Sequence, residues 1–257
     1  MTDILSVVTA ALQADQTRLE QASLNAANAS TPGYRRGTVV AVSFDQAFSS
    51  AEQSAGFGPA AGGASELRQP SWTAANPVLQ RATDFTHGAL MQTGRALDIA
   101  VEGEGFVSFT DGQRTWLTRT ASLMVSSTGE LVGPRGLRIV SEQGDLRPGT
   151  DQGLSIQGNG RLLRGDQVLG QIRLVRPVET EQLVSQDGVL FEVGEQVLEP
   201  VNDRGVLRAG FLEASNTNHL KEMLGVMENV RHFESLIRLA QGYDDVLGRA
   251  IQKLGEV

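Results

Sequence analysis

The sequence predicts an α+β protein. Helices at the two chain ends pair in a coiled-coil-like arrangement, and a central, irregular, mostly antiparallel β domain lies between them. Three observations predict this. Apolar residues recur at helical spacing near the N-terminus. The same period returns at the C-terminal end. Between the two, short alternating runs are punctuated by glycine and aspartate.

The first element spans residues 3–29. Leu5, Val8, Leu12, Leu19, Ala22 and Ala26 fall on one helical face, Asp3 is an N-cap candidate, and Pro32-Gly33 is the stop. The side chains shrink toward the helix end, where Ala22, Ala26, Ala27 and Ala29 allow another backbone to approach closely. Residues 31–77 read as an extended connection, because "SSAEQSAGFGPAAGGASELRQPSW" is rich in Gly, Ala and Ser and has no period. Residues 78–215 form the central β domain. In "ALDIAVEG", Leu97, Ile99 and Val101 alternate with Asp98, Ala100 and Glu102, the pattern of a half-buried strand. No strand–helix–strand alternation occurs, which argues against a parallel sheet. The last element runs from about 219 to 254. Its stripe of Met223, Met227, Val230, Phe233, Ile237, Ala240, Asp244, Leu247, Ile251 and Leu254 steps by three and four and is broken only by Asp244. Gly225, Gly242 and Gly248 each weaken this helix by up to ~1 kcal/mol relative to Ala, so packing must stabilise it. Residues 1–30 and 216–257 together are expected to make the helical terminal domain.

Composition narrows the function. The formal charge of −8 disfavours nucleic acid and anionic membrane as partners. The chain has no cysteine, which excludes disulfides, thiolate metal sites and cysteine nucleophiles. No apolar run approaches the ~18–20 residues of a membrane span. Asp3 stands where a secretory signal carries positive charge, so export by an ordinary cleaved signal is not expected.

Catalytic chemistry is hard to find. The histidines are His87, His219 and His232, and the last two fall on different faces of a helix, so they form no ligand pair. Gly103-Glu104-Gly105 lacks the third glycine of a dinucleotide fingerprint. Glu102 and Glu104 share a strand face and are the one candidate acid/base pair, but they read more simply as solvated carboxylates beside a turn. Arg35-Arg36 is too short for a basic patch. We expect no enzyme activity, no cofactor and no metal site. From the residues alone, a soluble adaptor that grips another protein through a coiled coil remains a second reading.

Three separated motifs carry a resemblance. "NAANASTPGYRR" supplies Asn25, Ala27, Asn28, Thr31, Pro32, Gly33, Tyr34 and Arg35. "HGALMQTGRALDIAVEGEGFVSF" with "LTRTASLMVSSTGELVGPRG" supplies Gly88, Leu90, Thr93, Gly94, Leu97, Asp98, Gly103, Gly105, Thr118 and Arg119. "GFLEASNTNHLKEM" and "RHFE" supply Gly210, Leu212, Glu213, Ser215, Asn216, Glu222 and Phe233. In this order they resemble the bacterial flagellar rod and hook protein family. The resemblance implies a structural subunit of the basal-body rod, exported without signal cleavage and carrying torque across the periplasm. Its implied partners are other rod and hook proteins, copies of itself and the flagellar export apparatus, with no nucleic acid and no membrane insertion. The implied assembly interface is Leu5, Val8, Leu12, Leu19, Ala26, Asn28, Thr31, Pro32, Gly33 and Tyr34 at one end. At the other it is Met223, Met227, Val230, Phe233, Ile237, Leu247, Ile251 and Leu254.

Overall fold

The computed structural model describes residues 3–42, 78–141, 144–194, 197–201 and 205–255. Of the extended connection expected over 31–77, residues 43–77 lie outside them. The chain divides into two compact units. One comprises Met1–Leu24, Gly37–Ala82 and Leu220–Val257, and the other Asn25–Arg36 and Thr83–His219.

The first unit holds most of helix α1 (Asp3–Ala27), most of helix α2 (His219–Gly255), and a two-stranded sheet of Gly37–Val42 with Val78–Thr83. On α1, Val8, Ala14, Asp15, Gln21 and Ala22 are buried, and Leu12 and Leu19 are half-buried. The buried carboxylate of Asp15 meets His232 Nδ1 of α2 and lies 3.4 Å from Arg18 Nη1. Arg81 of the second strand lies 3.7 Å from Glu20. No helix among the described residues is long and apolar enough to cross a membrane.

The expected fold class is corrected here. The protein is mostly β-sheet with one helix at each end, and a coiled-coil-like pair of terminal helices is not what the structure shows. Met223, Met227, Val230, Ile237 and Ile251, all placed on the seam by the sequence, are exposed. The shielded side of α2 runs through Glu222, Val226, Asn229, Phe233, Leu236, Ala240, Tyr243 and Leu247. This line also alternates steps of four and three, but its register coincides with the predicted stripe only at Phe233, Ala240 and Leu247. The shift replaces Asp244 by Tyr243, so the predicted break disappears. It also places Glu222 and Asn229 on the shielded side, which an apolar seam would exclude.

In the second unit every strand pairing described is antiparallel. Strands Phe106–Thr110 and Thr115–Thr118 form the centre of its largest sheet, extended by Phe191–Val193, Arg138–Ser141 and Leu174–Pro177. Both faces of this pair are covered. Val107, Phe109 and Trp116 enter one core with Ile99, Val101, Leu123, Ile139 and Leu162. Phe106 and Leu117, pointing the other way, enter a second core with Val175, Leu183 and Phe191. Phe85 closes that second core, edge-on to Phe106 at 6.1 Å between centroids and tilted against Phe191 at 5.1 Å. Strand Asp98–Gly103 sits between Gly205–Ala209 and Thr120–Ser122. Its alternation predicts one buried face, yet Asp98 and Ala100 are buried as well as Ile99 and Val101. Asp98 is tolerated inside because Ser122 Oγ donates to it at 2.6 Å.

Candidate assembly site: a buried charged joint and an open helix face

The opening helix ends in a sequence that cannot continue it. Thr31 N donates to Asn28 O at 3.0 Å and Tyr34 N to Thr31 O at 3.2 Å, closing two successive turns around Pro32. Gly33 adopts φ +77°, and a Cβ there would lie 2.6 Å from Thr120 Cγ2. Glycine answers both constraints. The turn delivers Tyr34 and Arg35 inward, each at most 5 % exposed. Tyr34 OH donates to Asn25 Oδ1 at 3.0 Å, tying the turn back to the last turn of α1. The Tyr34 ring lies over Gly188, where any Cβ would come within 2.3 Å of it.

Arg35 then enters a buried charge cluster. Its Nη2 donates to Glu213 Oε1 at 2.8 Å, its Nη1 to Thr86 O, and its backbone N to Gly188 O at 2.7 Å. Glu213 is 1 % exposed and also accepts from Gly88 N at 2.8 Å and from Arg119 Nε at 3.1 Å. Arg119 directs its remaining donors at the carbonyls of Val101, Gly103 and Gly105, each at 2.8 Å. The Glu213 backbone is held too: Gly33 N donates to its carbonyl at 2.7 Å, and Thr120 Oγ1 accepts from its N at 3.1 Å. Asn216 adds a further tie. Its Oδ1 accepts from Arg36 N at 2.7 Å and its Nδ2 donates to Asp84 O at 2.8 Å and Thr86 O at 3.1 Å. Two guanidinium groups thus share one carboxylate out of water. Desolvation, only partly offset by Glu213, holds the Arg119 guanidinium below its ordinary pKa.

His87 lies between two backbone groups of this cluster, the Thr86 carbonyl and the Gly88 N–H. Desolvation, followed by the positive charge of Arg119, lowers its pKa from the ordinary value of 6.5. Arg35 acts the same way, and Glu213 and Glu104 act against it. The folded chain therefore binds this proton more weakly than the unfolded chain. Acid favours unfolding as pH falls through the ordinary histidine range, and above that range His87 has no effect. Urea unfolding followed by tryptophan fluorescence should show a smaller stability loss between pH 7.5 and 5.5 for His87→Gln than for the parent. Equal losses would refute a role for His87.

The structure places the sequence-derived interface residues in three settings. Gly33 and Tyr34 are buried in the joint, with Asn28 and Thr31 half-buried beside them and Pro32 exposed. Val8 is buried, and Leu12, Leu19, Ala26, Phe233 and Leu247 are half-buried. Met223, Met227, Val230, Ile237 and Ile251 are exposed, joined on α2 by Leu220 and Leu224. The side chains of Leu5 and Leu254 lie outside the described residues. His219 is exposed and its Nδ1 lies 3.1 Å from Ala26 O, within reach of the end of α1. Glu102 and Glu104 each pair on the surface with an arginine, Arg208 and Arg176 respectively.

Sequence reasoning missed the joint. Arg35, Arg119 and Glu213 are all motif residues, yet nothing in their spacing says that they meet. A charged residue repeated inside otherwise apolar or small-residue motifs was the available signal.

Residues 208–253 match the family model described as flagellar basal body rod FlgEFG protein C-terminal. The flagellar basal-body rod protein FlgF of Salmonella typhimurium is 29 % identical over 271 residues, covering 97 % of this chain and 98 % of that protein. FlgF of Escherichia coli is 29 % identical with the same coverage. FlgG of Bacillus subtilis, also a flagellar basal-body rod protein, is 27 % identical over 249 residues, 90 % of this chain and 91 % of its own length.

Proposed function

We propose that the chain is a member of the flagellar basal-body rod protein family and a structural subunit of the rod that transmits torque across the periplasm. The observation that carries the reading is the joint. Arg35 comes from the first family motif, Gly88 and Arg119 from the central one, and Glu213 and Asn216 from the last. Residues far apart in sequence serve one buried structural connection. Such a joint suits a part that bears load.

The exposed apolar residues of α2 supply the other half of the argument. A row of Leu220, Met223, Leu224 and Met227 open to water costs free energy until a neighbour covers it. Contacts of one patch with a different patch on the next copy generate an open helical array when the rotation does not close. We place the subunit in the proximal segment, on chain length. A distal or hook-like position in the same axial structure is the alternative. Its partners are copies of itself and other axial proteins, delivered by the flagellar export apparatus without signal cleavage. Electron microscopy of basal bodies isolated from cells carrying a tagged chain tests this. Label on the rod is the expected result, and basal bodies without the chain would overturn it.

A further inference from the structure

In the second unit, a crevice of about 190 Å³ opens between the turn Gly158-Asn159-Gly160 and the segment from Gln171 to Leu174, with Pro200, Val201 and Leu207 completing its wall. Its walls are fixed by backbone hydrogen bonds. Ile172 N donates to Gly160 O at 2.8 Å and Leu207 N to Gly158 O at 3.0 Å, while Gln171 Nε2 donates to Asn159 O at 3.1 Å. Gly160, at φ +82°, has no room for a Cβ, which would come within 2.5 Å of Ile172 O. The crevice is therefore preformed. One charged residue lines it, Arg173, which is half-buried. Among the described residues Arg173 has no ion pair and no side-chain hydrogen bond, whereas the nearby Arg176 is held by both Glu104 and Glu199.

We propose that this crevice is a contact site between copies of the chain, in which Arg173 receives a carboxylate side chain of a neighbouring copy. The inference rests on the rod-subunit reading and deepens it. A half-buried arginine with no ion pair among the described residues is best satisfied by a carboxylate, which matches its planar fork of donors. Arginine anchors of this kind are enriched at the centres of protein interfaces. The chain itself offers a surplus of such partners, with 30 acidic residues against 22 basic ones. In an array of identical subunits the commonest neighbouring surface is the chain's own. Leu174, Pro200, Val201 and Leu207 supply apolar wall for the methylene stem of the incoming side chain.

The test uses Arg173→Lys, which keeps the charge and introduces a primary amine into a chain whose only other lysines are Lys221 and Lys253. Basal bodies isolated from cells carrying this variant are treated with a carbodiimide, which joins amines to carboxylates in direct contact. The expected product is a species of twice the chain mass, absent from the parent. Its linked peptides should join the introduced amine to an Asp or Glu of a second copy. Arg173→Glu should lower incorporation into basal bodies at least tenfold while the isolated chain melts at the parent temperature. A cross-link confined to one chain, a cross-link to a different axial protein, or no cross-link with normal incorporation of Arg173→Glu would each overturn the proposal. Absence of the parent chain from basal bodies would instead overturn the rod-subunit reading beneath it.

Discussion

Glu213→Ala is expected to destabilise the β-rich unit by about 3–5 kcal/mol, the usual result of removing one partner from a buried ion pair. The replacement leaves Arg35 and Arg119, at most 4 % exposed, facing each other without a counter-charge. It also strands the Gly88 N–H. Both effects act in the same direction, and a folded domain is typically stable by only about 5–15 kcal/mol in total. Urea titration followed by Trp116 fluorescence measures the loss, since Trp116 lies in the core beside strand Phe106–Thr110. Glu213→Gln separates the two contributions. It keeps an acceptor for Gly88 and the side-chain volume but not the charge, so its cost should lie between those of the parent and the alanine variant. A loss below about 1 kcal/mol for Glu213→Ala would mean that the guanidinium groups find water or other acceptors, and that the joint contributes little to holding the unit together.

Met227→Asp should abolish incorporation into basal bodies, and with it swimming, without altering the stability of the isolated chain. Met227 is 54 % exposed on α2, so an aspartate there is solvated in the free chain and replaces no core contact. In an assembled structure the same carboxylate would be pressed into an apolar contact, where an unpaired charge costs several kcal/mol. Phe233→Asp is the contrasting change, because Phe233 is half-buried within the chain and its replacement should lower stability before assembly is reached. Normal swimming in Met227→Asp, judged in soft agar with the chain at parent levels, would remove the open face of α2 from the assembly contacts.

The termini were legible because helix periods and stop signals are local. The predicted span of 3–29 became Asp3–Ala27, and about 219–254 became His219–Gly255. The register of α2 was not legible. Two stripes one residue apart both step by three and four, and the sequence offers apolar residues to each. Met223, Met227, Val230, Ile237 and Ile251 of the more apolar stripe stayed in water while the stripe containing Glu222 and Asn229 was shielded. Strand Asp98–Gly103 shows the same limit, since its alternation is genuine but both faces are covered by neighbouring chain.

The sequence alone determined the family resemblance, the helix at each end, the strand-rich middle and the sharp exit at Pro32-Gly33, because period, turn chemistry and motif order are written in neighbouring residues. Tertiary structure alone decided that Arg35, Arg119 and Glu213 share one buried site, and that Arg173 has no ion pair among the described residues. Both outcomes depend on long-range closure. Arg35 and Glu213 are 178 positions apart, and no local pattern records which distant charges a fold will bring within 3 Å or leave alone.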